Sequence, residues 1–113
     1  MEKESIKVLK ECSDIQVKKS KDYQNPNSRI KQADYYPRGV MSIMELINTK
    51  TIRLWSLIEA MENDPTYEPN FESIEDSLKD LINYSSFAVA YSRGKIEGQD
   101  PDRDFLNRKK AKD

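Results

Sequence analysis

Glu72, Asp76, Asp80 and Asn83 recur at i, i+4, i+8 and i+11, a spacing that puts all four on one face of a helix. Two carboxylates one turn apart can share a divalent cation or bridge two, and an amide beside them can ligate or hydrogen-bond a substrate. The chain has no histidine and a single cysteine, Cys12, so hard oxygen donors are the ligands available, which points to Mg²⁺ or Mn²⁺ rather than zinc. The plainer alternative is a solvated acidic face, slightly destabilised by like charges four residues apart. Two details favour a covered face. Glu75 and Lys79 form the favourable i,i+4 pair, which leaves Asp76 and Asp80 without a local counter-charge, and the same face turns apolar at Phe87, Ala90 and Tyr91.

Cations complementary to such acids lie upstream. Lys50 falls inside an apolar stripe of Ile43, Leu46, Ile47, Leu54, Leu57, Ile58 and Met61, with Arg53 at its edge. A lysine there either snorkels to water or meets a negative partner, because an unpaired buried ammonium costs several kcal/mol. In the second case Lys50 and Arg53 face a polar pocket and meet phosphate or carboxylate. Earlier still, Lys21 to Arg38 interleaves Tyr23, Tyr35 and Tyr36 with Lys21, Arg29, Lys31 and Arg38. Tyrosine offers a face for stacking a base and arginine a fork for phosphate, while the structural alternative is a polar lid whose tyrosines pack back onto the helices.

Helices must position these groups, and the apolar spacing is helical throughout. A first helix is expected over about 2–20, with a stripe of Val8, Leu9, Cys12 and Ile15 and lysines at its end. An irregular stretch from Lys21 to Gly39 follows, broken by Asn25-Pro26-Asn27-Ser28 and Pro37-Arg38-Gly39. A second helix over about 42–63 opens on a Ser42-x-x-Glu45 capping box and stops at Asp64-Pro65. A third over about 71–93 is capped by Asn70 or Ser73 and ends near Arg93-Gly94, with Ile74, Leu78, Leu81, Ile82, Ser85, Ala88 and Val89 on its core side. Asp100-Pro101 opens a short last helix through Leu106. The fold class is therefore all-α, one domain over 1–113 with a three-helix core. The segment Leu81 to Tyr91, apolar on nearly every side, implies a homodimer or higher homo-oligomer.

Composition narrows function by exclusion. Nineteen basic residues against twenty acidic ones give a net charge of −1, which argues against duplex nucleic acid as a partner. Without histidine there is no Ser-His-Asp or Cys-His nucleophile system, and one cysteine makes no internal disulfide. No apolar run approaches the roughly 20 residues of a membrane span, and the charged N-terminus is no signal peptide, so a cytoplasmic location with no membrane association is expected.

The run Lys50-Thr51-Ile52-Arg53-Leu54, then Glu72-Ser73-Ile74-Glu75-Asp76-Ser77-Leu78-Lys79-Asp80-Leu81-Ile82-Asn83-Tyr84, resembles the nucleotide modification associated domain family of small phage and prophage proteins. Those carry a Lys-x-x-Arg helix followed by a helix of this acidic pattern. Lys21-Asp22-Tyr23 with Asn25 is similar to that family's Lys-x-x-Asp-Tyr loop, although no glycine follows Tyr23. The family in turn resembles the all-α nucleotide pyrophosphohydrolases of MazG type, which hold Mg²⁺ on acids of two neighbouring helices. The resemblance implies metal-ligating roles for Asp76 and Asp80, a substrate or ligand amide at Asn83, and phosphate contacts from Lys50 and Arg53. Two departures stand out. The expected earlier Glu-x-x-Glu is matched only by Glu59 and Glu62 near a helix end, and Thr49 stands where many relatives carry an acid.

Three functions follow as expectations. The first is Mg²⁺-dependent cleavage of a nucleoside triphosphate, linked to phage nucleotide metabolism or DNA base modification. Asp76, Asp80 and Glu72 would hold the metal, Lys50 and Arg53 would stabilise developing charge, and Asn83, Tyr23, Arg29 and Lys21 would contact substrate. The second is a non-catalytic phage protein that sequesters a nucleotide or nucleotide second messenger. The third is a helical adaptor for a protein partner.

Overall fold

The computed structural model describes residues 1–23, 27–70 and 72–100. They form three long helices, α1 (Glu4–Tyr23), α2 (Val40–Asn63) and α3 (Ile74–Ser92), with a 3-10 turn at Gln32–Tyr35. The all-α, three-helix expectation holds, and no strand occurs among the described residues. The short C-terminal helix expected after Asp100 lies outside them.

Helix α3 lies between the other two, which pack on it and little on each other. Moving along α1 from Cys12 to Gln16 shifts the contact on α3 from Lys79 to Asn83 and Ser86, so these helices run parallel. Helix α2 returns antiparallel, its Lys50 meeting Asp80 and its Arg53 meeting Glu72. A central helix with neighbours on both sides needs apolar groups on both sides. This accounts for much of the apolarity of Leu81 to Tyr91.

The core gathers at one end of the layer. Tyr36 and Ala33 from the 3-10 turn, Val40 and Ile43 from α2, Tyr91 from α3 and Ile96 beyond it are all buried. Tyr36 and Tyr91 meet edge to face, ring centroids 6.3 Å apart. The segment after α3 straps the 3-10 turn down: the Glu97 carbonyl accepts from the Ala33 N–H at 3.0 Å, and Gln99 Nε2 donates to the Tyr91 carbonyl at 2.8 Å. Gly98 makes this closeness possible. Its φ is +83°, and a Cβ there would lie 2.5 Å from Lys31 Cβ.

Helix ends differ in detail from expectation. Helix α2 starts two residues early, after Gly39 in the left-handed region at φ 64°. Ser42 and Glu45 form no capping box there. The Ser42 hydroxyl accepts the Arg38 N–H at 2.9 Å, and Glu45 pairs with the Arg38 guanidinium. Both still tie the entering chain to the first turn, by reaching back to Arg38. Helix α2 ends at Asp64 as expected, where Asp64 Oδ1 accepts from the Thr66 N–H at 3.0 Å and its hydroxyl at 2.7 Å.

The buried seam of α2 is Val40, Ile43, Leu54 and Leu57, with Ile47 and Lys50 between them. Leu46, Ile58 and Met61, expected on that stripe, are exposed. On α3 the expected core side is also only partly covered: Leu78 and Val89 are about half exposed (47% and 49%), whereas Ser77, Asn83 and Tyr91 are buried. The seam toward α2 takes the aromatic side of α3, and the aliphatic side instead lines an open trough against α1. Among the described residues no helix is long and apolar enough to cross a membrane.

Candidate functional site

Lys50 is held in the α2 seam with its side chain only 16% exposed, and it does meet negative partners. Its Nζ donates to both Glu72 oxygens, at 2.6 and 2.8 Å, and lies 3.1 Å from Asp80 Oδ2. Burial alone would lower the Lys50 pKa, but the bonds to Glu72 and Asp80 outweigh it and hold the ammonium above its ordinary value. The same ammonium holds Glu72 below the usual carboxylate range. Arg53 anchors backbone rather than a carboxylate: Nη2 donates to the Glu72 carbonyl at 3.0 Å, and its buried Nε has no described partner. Asp80 links this cluster to α1, its Oδ1 lying 3.8 Å from Lys19 Nζ.

The acids of the sequence motif therefore separate into two jobs. Glu72 and Asp80 converge on Lys50. Asp76 belongs to the N-terminus of α3, where its Oδ2 accepts the Ser73 N–H at 3.2 Å and Ser73 Oγ accepts the Asp76 N–H at 3.0 Å. The backbone bond from Ser73 is the main reason the Asp76 carboxyl titrates below its ordinary value. Lys79 is likewise tied up, by Glu11 at 2.8 Å and Glu75 at 3.0 Å. Among the described residues no three acids or cysteines converge as a ready cation cage. A divalent cation at Glu72 and Asp80 would have to displace the Lys50 ammonium, and Asp76 would have to abandon the cap to join it.

Because Ser73 supplies the side-chain acceptor of that cap, Ser73→Ala is expected to destabilise the protein by about 1 kcal/mol. Thermal unfolding should register a drop of several degrees, with ligand affinities unchanged.

The concave site is the far side of Asp80. A hollow of about 430 Å³ opens where α1, the 3-10 turn and α3 meet. Tyr35, Tyr36, Tyr84 and Phe87 give it aromatic walls, Gln16, Gln32 and Asn83 give it amides, and Lys19 and Asp80 give it charge. Asn83 is buried at 6% exposure, whereas Tyr35 is 49% exposed. The Ser86 hydroxyl donates to the Asn83 carbonyl at 2.7 Å and accepts from Gln16 Nε2 at 2.8 Å. Gln16 Nε2 donates also to Asn83 Oδ1 at 2.8 Å.

A second depression, about 850 Å³, lies between α1 and α3. It is walled mainly by Val8, Ile74, Leu78, Leu81 and Ile82 with acids at its rim, and it has no aromatic plane and no amide. Cys12 serves the core: burial pushes its thiol up, and its Sγ rests 3.9 Å from the Lys79 carbonyl.

Of the residues expected at the site, Lys50, Glu72 and Asp80 come together, with Arg53 beside them, and Asn83 sits in the adjoining hollow. Lys21 and Arg29 are exposed and line neither depression. The side chain of Tyr23, like Asn25, lies outside the described residues. Gln16, Gln32 and Ser86 were not expected. Gln16 had a signal, since it stands one turn after Cys12 on the stripe of α1, a polar group on an apolar face just as Lys50 is on α2. Comparison with known protein families, characterised proteins and solved structures finds no match for this chain.

Proposed function

We propose that this protein binds a nucleotide, with the base in the hollow between α1 and α3 and the phosphates at the basic rim. One observation carries the reading: aromatic walls and a locked pair of amides share a single hollow that has Lys19 at its edge. Stacking a base on an aromatic side chain contributes roughly 1–3 kcal/mol, and amides supply both donors and acceptors for its edge. Phosphate would meet Lys19, whose only described ion-pair partner is Asp80 at the long distance of 3.8 Å. The resemblance of the Lys50 to Arg53 and Glu72 to Tyr84 runs to a nucleotide-handling family supports the same reading.

The form best supported is binding without cleavage, as in a protein that sequesters a nucleotide or nucleotide signal. Lys50 already neutralises the acids that a hydrolase would use for metal. One feature favours the rival, Mg²⁺-dependent pyrophosphohydrolysis: the Lys50 ammonium sits between Glu72 and Asp80, where a cation is evidently stable. Bound there, Mg²⁺ would supply Lewis-acid polarisation of a phosphoryl oxygen. Calorimetric titration with ribo- and deoxyribonucleoside mono-, di- and triphosphates separates the readings. Binding that persists in EDTA with ligand recovered intact is expected. Turnover only with Mg²⁺ selects the hydrolase, and no heat with any member of the panel removes both.

A homo-oligomer belongs to the same proposal. Its support lies on the outer side of α2, where Met44, Ile52, Trp55 and Ile58 are exposed together at helical spacing.

A further inference from the structure

We propose that the hollow selects an oxo base over its amino counterpart, uracil over cytosine and hypoxanthine or guanine over adenine, because the Ser86–Gln16–Asn83 chain fixes Asn83 with its amide donor toward the ligand. This rests on the reading that a nucleotide binds there.

The orientation follows from one committed proton. The Ser86 hydroxyl gives its hydrogen to the Asn83 carbonyl, one turn back on α3, at 2.7 Å. It can then only accept from Gln16, so the Gln16 atom 2.8 Å away must be the amide nitrogen. That nitrogen has a second hydrogen, which goes to Asn83 at 2.8 Å, so the Asn83 atom facing Gln16 must be its oxygen. The remaining end of the Asn83 side chain is Nδ2, a donor with no described acceptor. Asn83 is 94% buried, and the hollow it lines is where that donor can find a partner. The opposite amide end, Gln16 Oε1, is an acceptor on a residue less deeply buried.

The hollow is therefore lined by an Asn83 amide left with a donor to spare and a Gln16 amide left with an acceptor to spare, between aromatic walls. A flat base entering edge first leads with its exocyclic substituent. A carbonyl oxygen in that place accepts from Asn83 Nδ2 while the neighbouring ring N–H donates to Gln16 Oε1. An amino group there confronts a donor with a donor and leaves a buried hydrogen-bonding group unsatisfied. Gln16 and Ser86 are positioning residues: they act through Asn83 by deciding which of its ends faces inward.

The test uses ligand pairs that differ chiefly at this exocyclic group, UTP with CTP and ITP with ATP, titrated calorimetrically into the full chain. The oxo member of each pair is expected to bind at least tenfold more tightly. Gln16→Glu replaces the donating amide by a carboxylate that can only accept, which draws Asn83 Nδ2 toward itself and turns Oδ1 to the ligand, so the oxo-to-amino ratio should fall to one or below, with circular dichroism confirming the helical fold. Asn83→Asp, which replaces the donor by an acceptor, should lower the ratio further, with circular dichroism confirming the helical fold. Equal affinities within both pairs in the wild-type chain, or a ratio unmoved by Gln16→Glu in a folded protein, overturn this selectivity and leave nucleotide binding standing. No binding of any of the four overturns the reading beneath it.

Discussion

Tyr91→Ala is expected to destabilise the protein by about 4 kcal/mol, the magnitude typical of truncating a large aromatic in a core. Tyr91 is fully buried (0% exposed), stands edge to face with Tyr36, and takes Gln99 on its backbone carbonyl. It is the point at which the 3-10 turn, α2, α3 and the strap after α3 are joined. A domain of this size has a net stability of roughly 5–15 kcal/mol, so the loss is a large share of the whole. Chemical denaturation should show a strongly lowered midpoint. Tyr36 also walls the hollow, so the surviving folded fraction should bind nucleotide weakly. A change under 1 kcal/mol would mean that the core is not organised around this ring pair.

Lys50→Met is expected to cost about 2 kcal/mol, less than the 3–5 kcal/mol typical of breaking a fully buried ion pair, because Glu72 keeps 40% of its side chain exposed and water screens it. The pH dependence is more diagnostic than the size. In the wild-type chain Glu72 titrates below its ordinary value, chiefly through its bond from Lys50, so its contribution is present above the unfolded carboxylate range and fades as pH falls through the lower folded value. Lys50 is raised, so its contribution is present below its ordinary lysine value and fades only as pH rises past that into the alkaline range. Stability from this cluster should therefore form a plateau between mildly acidic and alkaline pH. Without the ammonium, Glu72 and Asp80 repel, the folded state takes up a proton more readily than the unfolded one, and stability should rise as pH falls. Adding Glu72→Gln to Lys50→Met should recover most of the loss. Unfolding midpoints from mildly acidic to neutral pH check both signs.

Much of this architecture was legible in the sequence, for reasons that can be named. Three long amphipathic segments separated by Asn-Pro, Pro-Arg-Gly and Asp-Pro breaks leave little choice but three helices. The misplaced lysine was a sound pointer: a cation at Lys50, in step with Ile43, Ile47, Leu54 and Leu57, had to reach either water or a negative partner, and Glu72 and Asp80 meet it. Other details depend on choices that spacing does not contain. Asp76 shares its register with Asp80, but its proximity to a free helix end lets the backbone N–H of Ser73 capture it. Both sides of α3 carry a signal for cover, the aliphatic stripe and the face that turns aromatic at Phe87 and Tyr91, but periodicity does not say that the second is buried more fully than Leu78 and Val89. The hollow itself arises from the meeting of Gln16 with Asn83 and Ser86, 67 and 70 residues apart. A contact of that range is set by tertiary packing, and the only local trace it leaves is a glutamine in an apolar stripe.

The most direct test of the central claim is nuclear magnetic resonance of the side-chain amides of Gln16 and Asn83 during titration with UTP. Progressive, saturable shifts of both resonances, together with the ring protons of Tyr35 and Phe87, are expected as the base enters the hollow. Saturable shifts confined to the α1–α3 trough around Val8 and Leu78, or unmoved Gln16 and Asn83 amides at saturating nucleotide, would contradict the account.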